Sequence, residues 1–399
     1  MPRDVLIVGA SAAGLATAEA LRNKGYDGRL TLVGDEACLP YDRPPLSKQV
    51  LSGAWQPERV RLRDEQAIDK LDAEFQLGRR AVGLDAAGRK VLLDGGERVA
   101  FDALVIATGV TPRRLPGDDL EGVHVLRTLD DALALRADLL VRPKVVVVGA
   151  GFLGAEVAAV AGTMGLEVTL VDPLPVPMRR QFGDMIGKLV GQTHSDHGVA
   201  LRLGVGVARF VESAGRVAAV ELADGTKLDA DVVVVGVGST PATDWLADSG
   251  LVLGNGVECD AECRAAPGVY AAGDVASWHN PHFGVRMRVE HRLNATEQGM
   301  AVAANILGEQ RPFAPVPYFW SDQYDARVQA YGIFPEHADV TVMHGSLNDR
   351  EFVAAYGHEG EVVGVLGWNS HRELRTLRQL VVDHAPHPGE RTAEGRQEA

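Results

Sequence analysis

The chain has 399 residues, 46% of them hydrophobic and 24% charged, a balance that excludes wholesale disorder and predicts roughly two or three domains. Its 45 glycines and 20 prolines follow no period, which excludes collagen-like and low-complexity architectures. The formal charge of −14 is opposite to that of a generic nucleic-acid binder. Cys38, Cys259 and Cys263 make neither a disulfide framework nor a C-x-x-C pair, so a reducing compartment is expected. The most apolar stretch, KVVVVGAGFLGAEVAAVAG, is interrupted by Glu156 and by glycines, and no membrane span is expected. The N-terminus runs straight into an apolar strand without room for a signal-peptide core, and a cytoplasmic protein is expected.

Residues 5–25, VLIVGASAAGLATAEALRNKG, read as a buried strand, a glycine turn and an Ala/Leu-rich helix closed by Gly25. A strand ending at Asp35 and Glu36 follows. In YDRPPLSK (41–48) the prolines set a turn after which Lys48 can start a helix. Residues 75–105 alternate apolar and polar around AAG and DGG, as a small antiparallel sheet would. Residues 145–165, VVVVGAGFLGAEVAAVAGTMG, repeat the opening pattern 140 residues later, closed by Gly165, with a strand ending at Asp172. Cys259 and Cys263 fall in an expected surface strand and turn with a structural role. The run GVYAAGDVA (268–276) is another short buried strand meeting an acidic residue. From about Pro312 the composition turns aromatic and strand-like, suggesting a further domain. The last residues, HAPHPGERTAEGRQEA, are expected to be disordered.

The two glycine turns carry the chemistry. A dinucleotide fingerprint needs one glycine for the tight turn, a small residue where the pyrophosphate nears the backbone, and a glycine for helix–strand packing. GASAAG supplies Gly9 and Gly14 with Ser11 between them, and GAGFLG supplies Gly149, Gly151 and Gly154. Asp172 lies 18 residues beyond Gly154, where a carboxylate accepts from the 2′-hydroxyl of NADH and repels the 2′-phosphate of NADPH. Arg179 and Arg180 are the residues that would favour NADPH instead. Two nucleotide sites in one chain suggest hydride transfer from a mobile nicotinamide to a bound flavin.

At these motifs the chain resembles the flavoprotein pyridine-nucleotide disulfide oxidoreductase superfamily, and within it the ferredoxin reductases that serve bacterial Rieske oxygenases and cytochromes P450. The resemblance spans about residues 4–380 and rests on GASAAG, LVGDE, YDRPPLSK, LVIATG, HVLRTLDDA, GAGFLGAE, YAAGDVA, VEHRLNATEQG and YFWSDQYD. It implies an α/β fold of two Rossmann-like dinucleotide-binding domains of glutathione-reductase type plus an α+β C-terminal domain. The implied domains are an FAD-binding domain in two parts (1–110 and 236–315), an NAD-binding domain (111–235), a C-terminal reductase domain (316–383) and a tail (384–399).

The resemblance assigns Gly9, Ser11, Ala13, Gly14, Asp35, Glu36, Arg43, Lys48, Val82, Ala107, Thr108, Gly109, Arg127, Gly273, Asp274, Arg292 and Trp320 to FAD. It assigns Gly149, Gly151, Phe152, Leu153, Gly154, Glu156, Asp172, Gly238 and Glu290 to NADH. Lys48 falls near the flavin N5. An acidic residue in the first turn of a helix is favoured by the dipole, but the counterpart of Glu156 in the first unit is Ala16. Glu156 is therefore read as the catalytic partner of Lys48. Arg292 stands where the family often carries tryptophan, and the active-site cysteine pair of disulfide reductases is absent. The implied acceptor is a [2Fe–2S] ferredoxin feeding a cytochrome P450 or Rieske oxygenase, with no nucleic acid, membrane or metal, in a monomer or homodimer. A rubredoxin reductase, an NADH oxidase and a flavoprotein of the apoptosis-inducing-factor type are the alternatives. Arg372, Arg375 and Arg378 recur along HRELRTLRQL and, with Arg292, form the expected docking patch for an acidic ferredoxin.

Overall fold

The computed structural model describes residues 1–388 and divides into two compact units. The first comprises residues 1–43, 57–111 and 239–315. Its centre is a six-stranded sheet in the order Arg264–Ala266, Val269–Ala271, Ala103–Ile106, Asp4–Val8, Arg29–Gly34, Glu74–Leu77. All neighbours are parallel except the first pair. Val5, Leu6, Ile7 and Val8 are buried, as expected of a strand covered on both faces. Helix Ala12–Asn23 packs on helix Arg292–Ile306, whose Gly299 permits the close approach. A Cβ there would lie 2.6 Å from the Ala13 carbonyl oxygen. The alternating stretch forms a three-stranded antiparallel sheet over Ala81–Asp85, Lys90–Leu93 and Arg98–Ala100, while Ala103–Ile106 joins the central sheet.

The second unit comprises residues 44–56, 112–238 and 316–399 as far as they are described. It holds a five-stranded parallel sheet ordered Ala200–Leu203, Glu167–Asp172, Lys144–Val148, Val232–Val235, Val123–His124. It also holds a five-stranded antiparallel sheet, Tyr318–Gln323, Ala326–Gly332, Glu361–Trp368, Glu351–His358, Asp339–Ser346, with helix His371–Val382 against it. The C-terminal segment groups with this unit. Phe182, Ile186 and Val190 of helix Arg179–Asp196 share one apolar cluster with Phe319, Val328, Phe352 and Trp368. Phe152, Phe182, Phe319 and Phe334 meet edge to face or stacked, with centroids 5.5–5.6 Å apart. Residues 44–56 also group with this unit rather than with the sequence on either side of them.

The structure corrects three expectations. Cys259 and Cys263 are buried rather than at the surface, and burial pushes both thiols up, Cys263 to about 12. Residues 384–388 are ordered, because the Val362 amide donates to Ala385 and the His387 amide to Gly360, and His387 is buried. The remainder of the expected tail, 389–399, lies outside the described residues. Glu156 is the fifth residue of helix Phe152–Thr163, past its first turn, so the helix dipole does not account for it. No helix among the described residues is long and apolar enough to cross a membrane.

Candidate functional site

Each glycine turn joins the end of a buried parallel strand to the start of a helix. Gly9 and Gly149 have φ values of 120° and 100°, where side chains are strained. A Cβ on Gly14 would lie 2.0 Å from the Gly9 carbonyl oxygen, and one on Gly154 would lie 1.8 Å from that of Gly149. The protein's own packing therefore demands both glycines. Gly151 is different, because a Cβ there would meet only Gln181 Nε2 at 3.5 Å. The described residues therefore leave open space beside the Gly151 backbone, where a pyrophosphate could be laid.

The helices behind both turns begin without a capping side chain and without an acidic residue in the first turn. By contrast, helix Leu129–Leu139 is closed by a capping box of Thr128 and Asp131. The starts of Ala12–Asn23 and Phe152–Thr163 thus direct a positive dipole end at the glycine turns, where an anion is favoured. Ser11, Ala13, Phe152 and Leu153 sit at these starts, Ser11 as the residue before the first helix and the others in the first turns.

In the first unit, a Cβ on Gly9 would strike the carbonyl of Ala107 and one on Gly273 would come within 3.0 Å of the Ala13 Cβ. The structure thus brings the 107–109 and 273–274 turns onto the GASAAG turn. Asp35 is exposed, with Arg80 at 4.0 Å. Glu36 is engaged instead, accepting from the Tyr41 hydroxyl at 2.5 Å and from Arg43 at 2.6 Å. Burial acts to lower the Arg43 pKa, but Tyr41 and Glu36, with a smaller push from Asp274, raise it, so Arg43 is a fixed cation. Thr108 donates to the Ala242 carbonyl. Glu290 is exposed and pairs with Arg288 while accepting from Ser239. Val82 is 45% exposed on its strand. Arg292 makes an ion pair with Asp42 at 2.6 Å, so its charge is compensated locally.

In the second unit, Asp172 ends its strand with both carboxylate oxygens occupied by backbone. Oδ2 accepts from the Ala150 amide at 2.7 Å and Oδ1 from the Leu174 amide at 2.8 Å. A carboxylate offers about four acceptor positions, so two remain for a ribose. Arg179 is spent on Asp184 at 2.7 Å, whereas Arg180 is exposed. Gly238 has φ 96° and its carbonyl accepts from the Arg113 amide. The Arg127 amide donates to Asp131, and Trp320 lies near-parallel to Tyr318. Arg127 and Trp320, expected at FAD, belong to the second unit, and Glu290, expected at NADH, to the first.

A buried polar centre surrounds Glu156, which is only 5% exposed. Lys48 Nζ donates to its Oε2 at 2.8 Å and Ser47 Oγ to the same oxygen at 2.6 Å. Ser321 Oγ donates to Oε1 at 3.0 Å. Lys48 is the third residue of a π-helical turn, Leu46–Val50, which begins directly after Pro45. Residues that sequence reading did not single out complete this centre: Ser47, Ser321, Gln323, His194 and Tyr324. Ser321 and Gln323 had one signal, since they fall on the inward face of an alternating strand beside Phe319. His194 had none.

The chain matches the family model of the pyridine nucleotide-disulphide oxidoreductases over residues 3–299 and that of the reductase C-terminal domain over residues 318–397. It is 36% identical to the ferredoxin–NAD(+) reductase component of the anthranilate 1,2-dioxygenase system of Burkholderia cepacia, over 94% of this chain and 93% of that protein. Among solved structures it is similar to the ferredoxin reductase for the CYP199A2 system of Rhodopseudomonas palustris, with TM-score 0.93 and 36% identity, covering 97% of this chain and 96% of the other. It is also similar to the reductase of the covalent putidaredoxin reductase–putidaredoxin complex, with TM-score 0.92 and 32% identity, covering 97% and 94%.

Proposed function

Because the chain belongs to the pyridine nucleotide-disulphide oxidoreductase family, we propose that it works as an FAD-dependent ferredoxin–NAD(+) reductase. It passes electrons from NADH through FAD to a small [2Fe–2S] ferredoxin that feeds a cytochrome P450 or Rieske oxygenase. The observation that carries this reading is the pair of glycine turns, each followed by an uncapped helix start and each with an acidic residue at the end of the next strand. Bound FAD supplies the step from a two-electron donor to a one-electron acceptor.

The chain's own residues bind and orient. Ser11, Ala13, Gly14, Glu36, Arg43 and Asp274 hold the first dinucleotide. The 149–154 turn presents backbone donors to the pyrophosphate of NADH, and Asp172 accepts from its ribose. The Lys48–Glu156 pair orients the nicotinamide; it is nearly buried, so its attraction is little screened. The catalytic contribution is positioning, and hydride transfer itself asks for no protein acid or base. Cysteine usage supports a cytoplasmic setting.

The test is a stopped-flow reduction of the holoenzyme by NADH, followed by cytochrome c reduction reconstituted with one [2Fe–2S] ferredoxin at a time. Millisecond flavin bleaching with ferredoxin-dependent turnover is expected. Slow reduction with a persistent charge-transfer band would point to a redox-responsive binding protein. Turnover with oxygen or rubredoxin alone would move the reading to an oxidase or a rubredoxin reductase.

A further inference from the structure

Glu156 stands at one end of a hydrogen-bond chain whose direction the chemistry fixes. A carboxylate only accepts, so Ser321 must give its single hydroxyl proton to Glu156 Oε1. The atom of Gln323 facing Ser321 Oγ at 3.1 Å must then be the donor, Nε2. That turns Gln323 Oε1 towards His194 Nε2 at 3.0 Å, so this ring nitrogen carries the proton. His194 Nδ1 is left as an acceptor and faces the Tyr324 hydroxyl at 3.4 Å. Ser321, Gln323 and His194 are each at most 3% exposed, so these bonds are shielded from bulk water. Burial also pushes His194 down to about 4, which keeps it neutral and its Nδ1 bare at pH 7.

The outer end is held by packing. Tyr324 stacks on His197 with centroids 3.8 Å apart, and a Cβ on Gly162, in the helix that carries Glu156, would come within 3.2 Å of the Tyr324 hydroxyl. Two carboxylate oxygens are therefore gripped from opposite sides. Ser47 and Lys48 take Oε2, while the chain through Ser321 takes Oε1.

We propose that Ser321, Gln323 and His194 are positioning residues for NADH oxidation, acting through Glu156 by fixing the plane of its carboxylate. The inference rests on the reading of the Lys48–Glu156 pair given above. It gives strand Tyr318–Gln323, on the C-terminal segment, a part in the reductive half-reaction as well as in any contact with the electron acceptor. A carboxylate released on one side rotates about its last bond, and a small misplacement at a hydride-transfer site is costly in rate.

Ser321→Ala in the FAD-loaded enzyme is expected to lower the limiting rate of flavin reduction by about tenfold. The apparent Kd for NADH and the reoxidation of prereduced enzyme by ferredoxin should stay unchanged, and Ser321→Thr should restore the rate. Independently of turnover, 15N spectra of histidine-labelled protein at pH 7 should place His194 in the Nε2–H tautomer. A His194 that is protonated or carries its proton on Nδ1 overturns the chain without any variant being needed. Parental reduction in Ser321→Ala, with Glu156→Gln slow, overturns the inference while sparing the role of Glu156. Parental reduction in Glu156→Gln overturns the reading of the pair and this inference with it.

Discussion

Replacing Asp172 by asparagine tests cofactor choice and turn stability at once, because the structure gives this carboxylate both tasks. Its two oxygens accept the amides of Ala150 and Leu174 at 2.7 and 2.8 Å. Asparagine keeps one neutral acceptor and turns an N–H₂ group towards the other amide, so one bond is lost and the remaining one loses its charge assistance. Hydrogen bonds to charged groups contribute about 1.5–3 kcal/mol. Domains of this size lose about 2–4 °C per kcal/mol, so Tm should fall by about 3–12 °C. For the parent, the carboxylate's preference for a 2′-hydroxyl predicts kcat/KM for NADH at least roughly tenfold above NADPH, about 1.4 kcal/mol. In Asp172→Asn that ratio should collapse to within about twofold. Steady-state kinetics with both cofactors and a thermal scan of the FAD-loaded protein read the two effects. A lower Tm with an unchanged ratio would refute the ribose contact and leave Asp172 as a tie for the turn. Parity already in the parent would transfer the choice to the exposed Arg180, which Arg180→Ala would then reveal.

The glycine turn separates packing from ligand binding. Gly151→Ala should fold with a Tm close to the parent and raise KM for NADH by about tenfold or more, because only Gln181 faces the new methyl group. Gly154→Ala, whose methyl would meet the Gly149 carbonyl at 1.8 Å, should fail to fold or lose about 3 kcal/mol or more by circular-dichroism melting. Arg375 and Arg378 are exposed on an amphipathic helix, and charge reversal at both should raise KM for ferredoxin and flatten its salt dependence. Ferricyanide reduction should be unchanged, although loss of the Arg378–Tyr331 contact at 5.4 Å should cost about 0.5–1 kcal/mol of stability. Equal responses of both acceptors would remove this helix as the docking face.

Much of the protein was determined by local sequence. A run of β-branched residues, a glycine turn and an Ala-rich helix make one βαβ unit wherever they occur, because φ > 0 at Gly9 and Gly149 and the contacts of Gly14 and Gly154 arise within a few residues. Hence both glycine turns, the strand end at Asp172 and the antiparallel insertion could be read from the residues alone, whereas the strand expected to end at Asp35 and Glu36 stops at Gly34. The partner of Arg292 could not, since Asp42 is 250 positions away. Neither could the burial of Cys259 and Cys263, nor the shared core that joins the C-terminal sheet to helix Arg179–Asp196. The surroundings of Glu156 make the distinction clearest. Its helix and its buried face follow from sequence, but its partners come from positions 47, 48 and 321. A hydrogen bond between residues more than a hundred positions apart leaves no period or spacing in the chain. Only the packing that buries both ends decides that it forms, since burial removes the water that would otherwise satisfy each group.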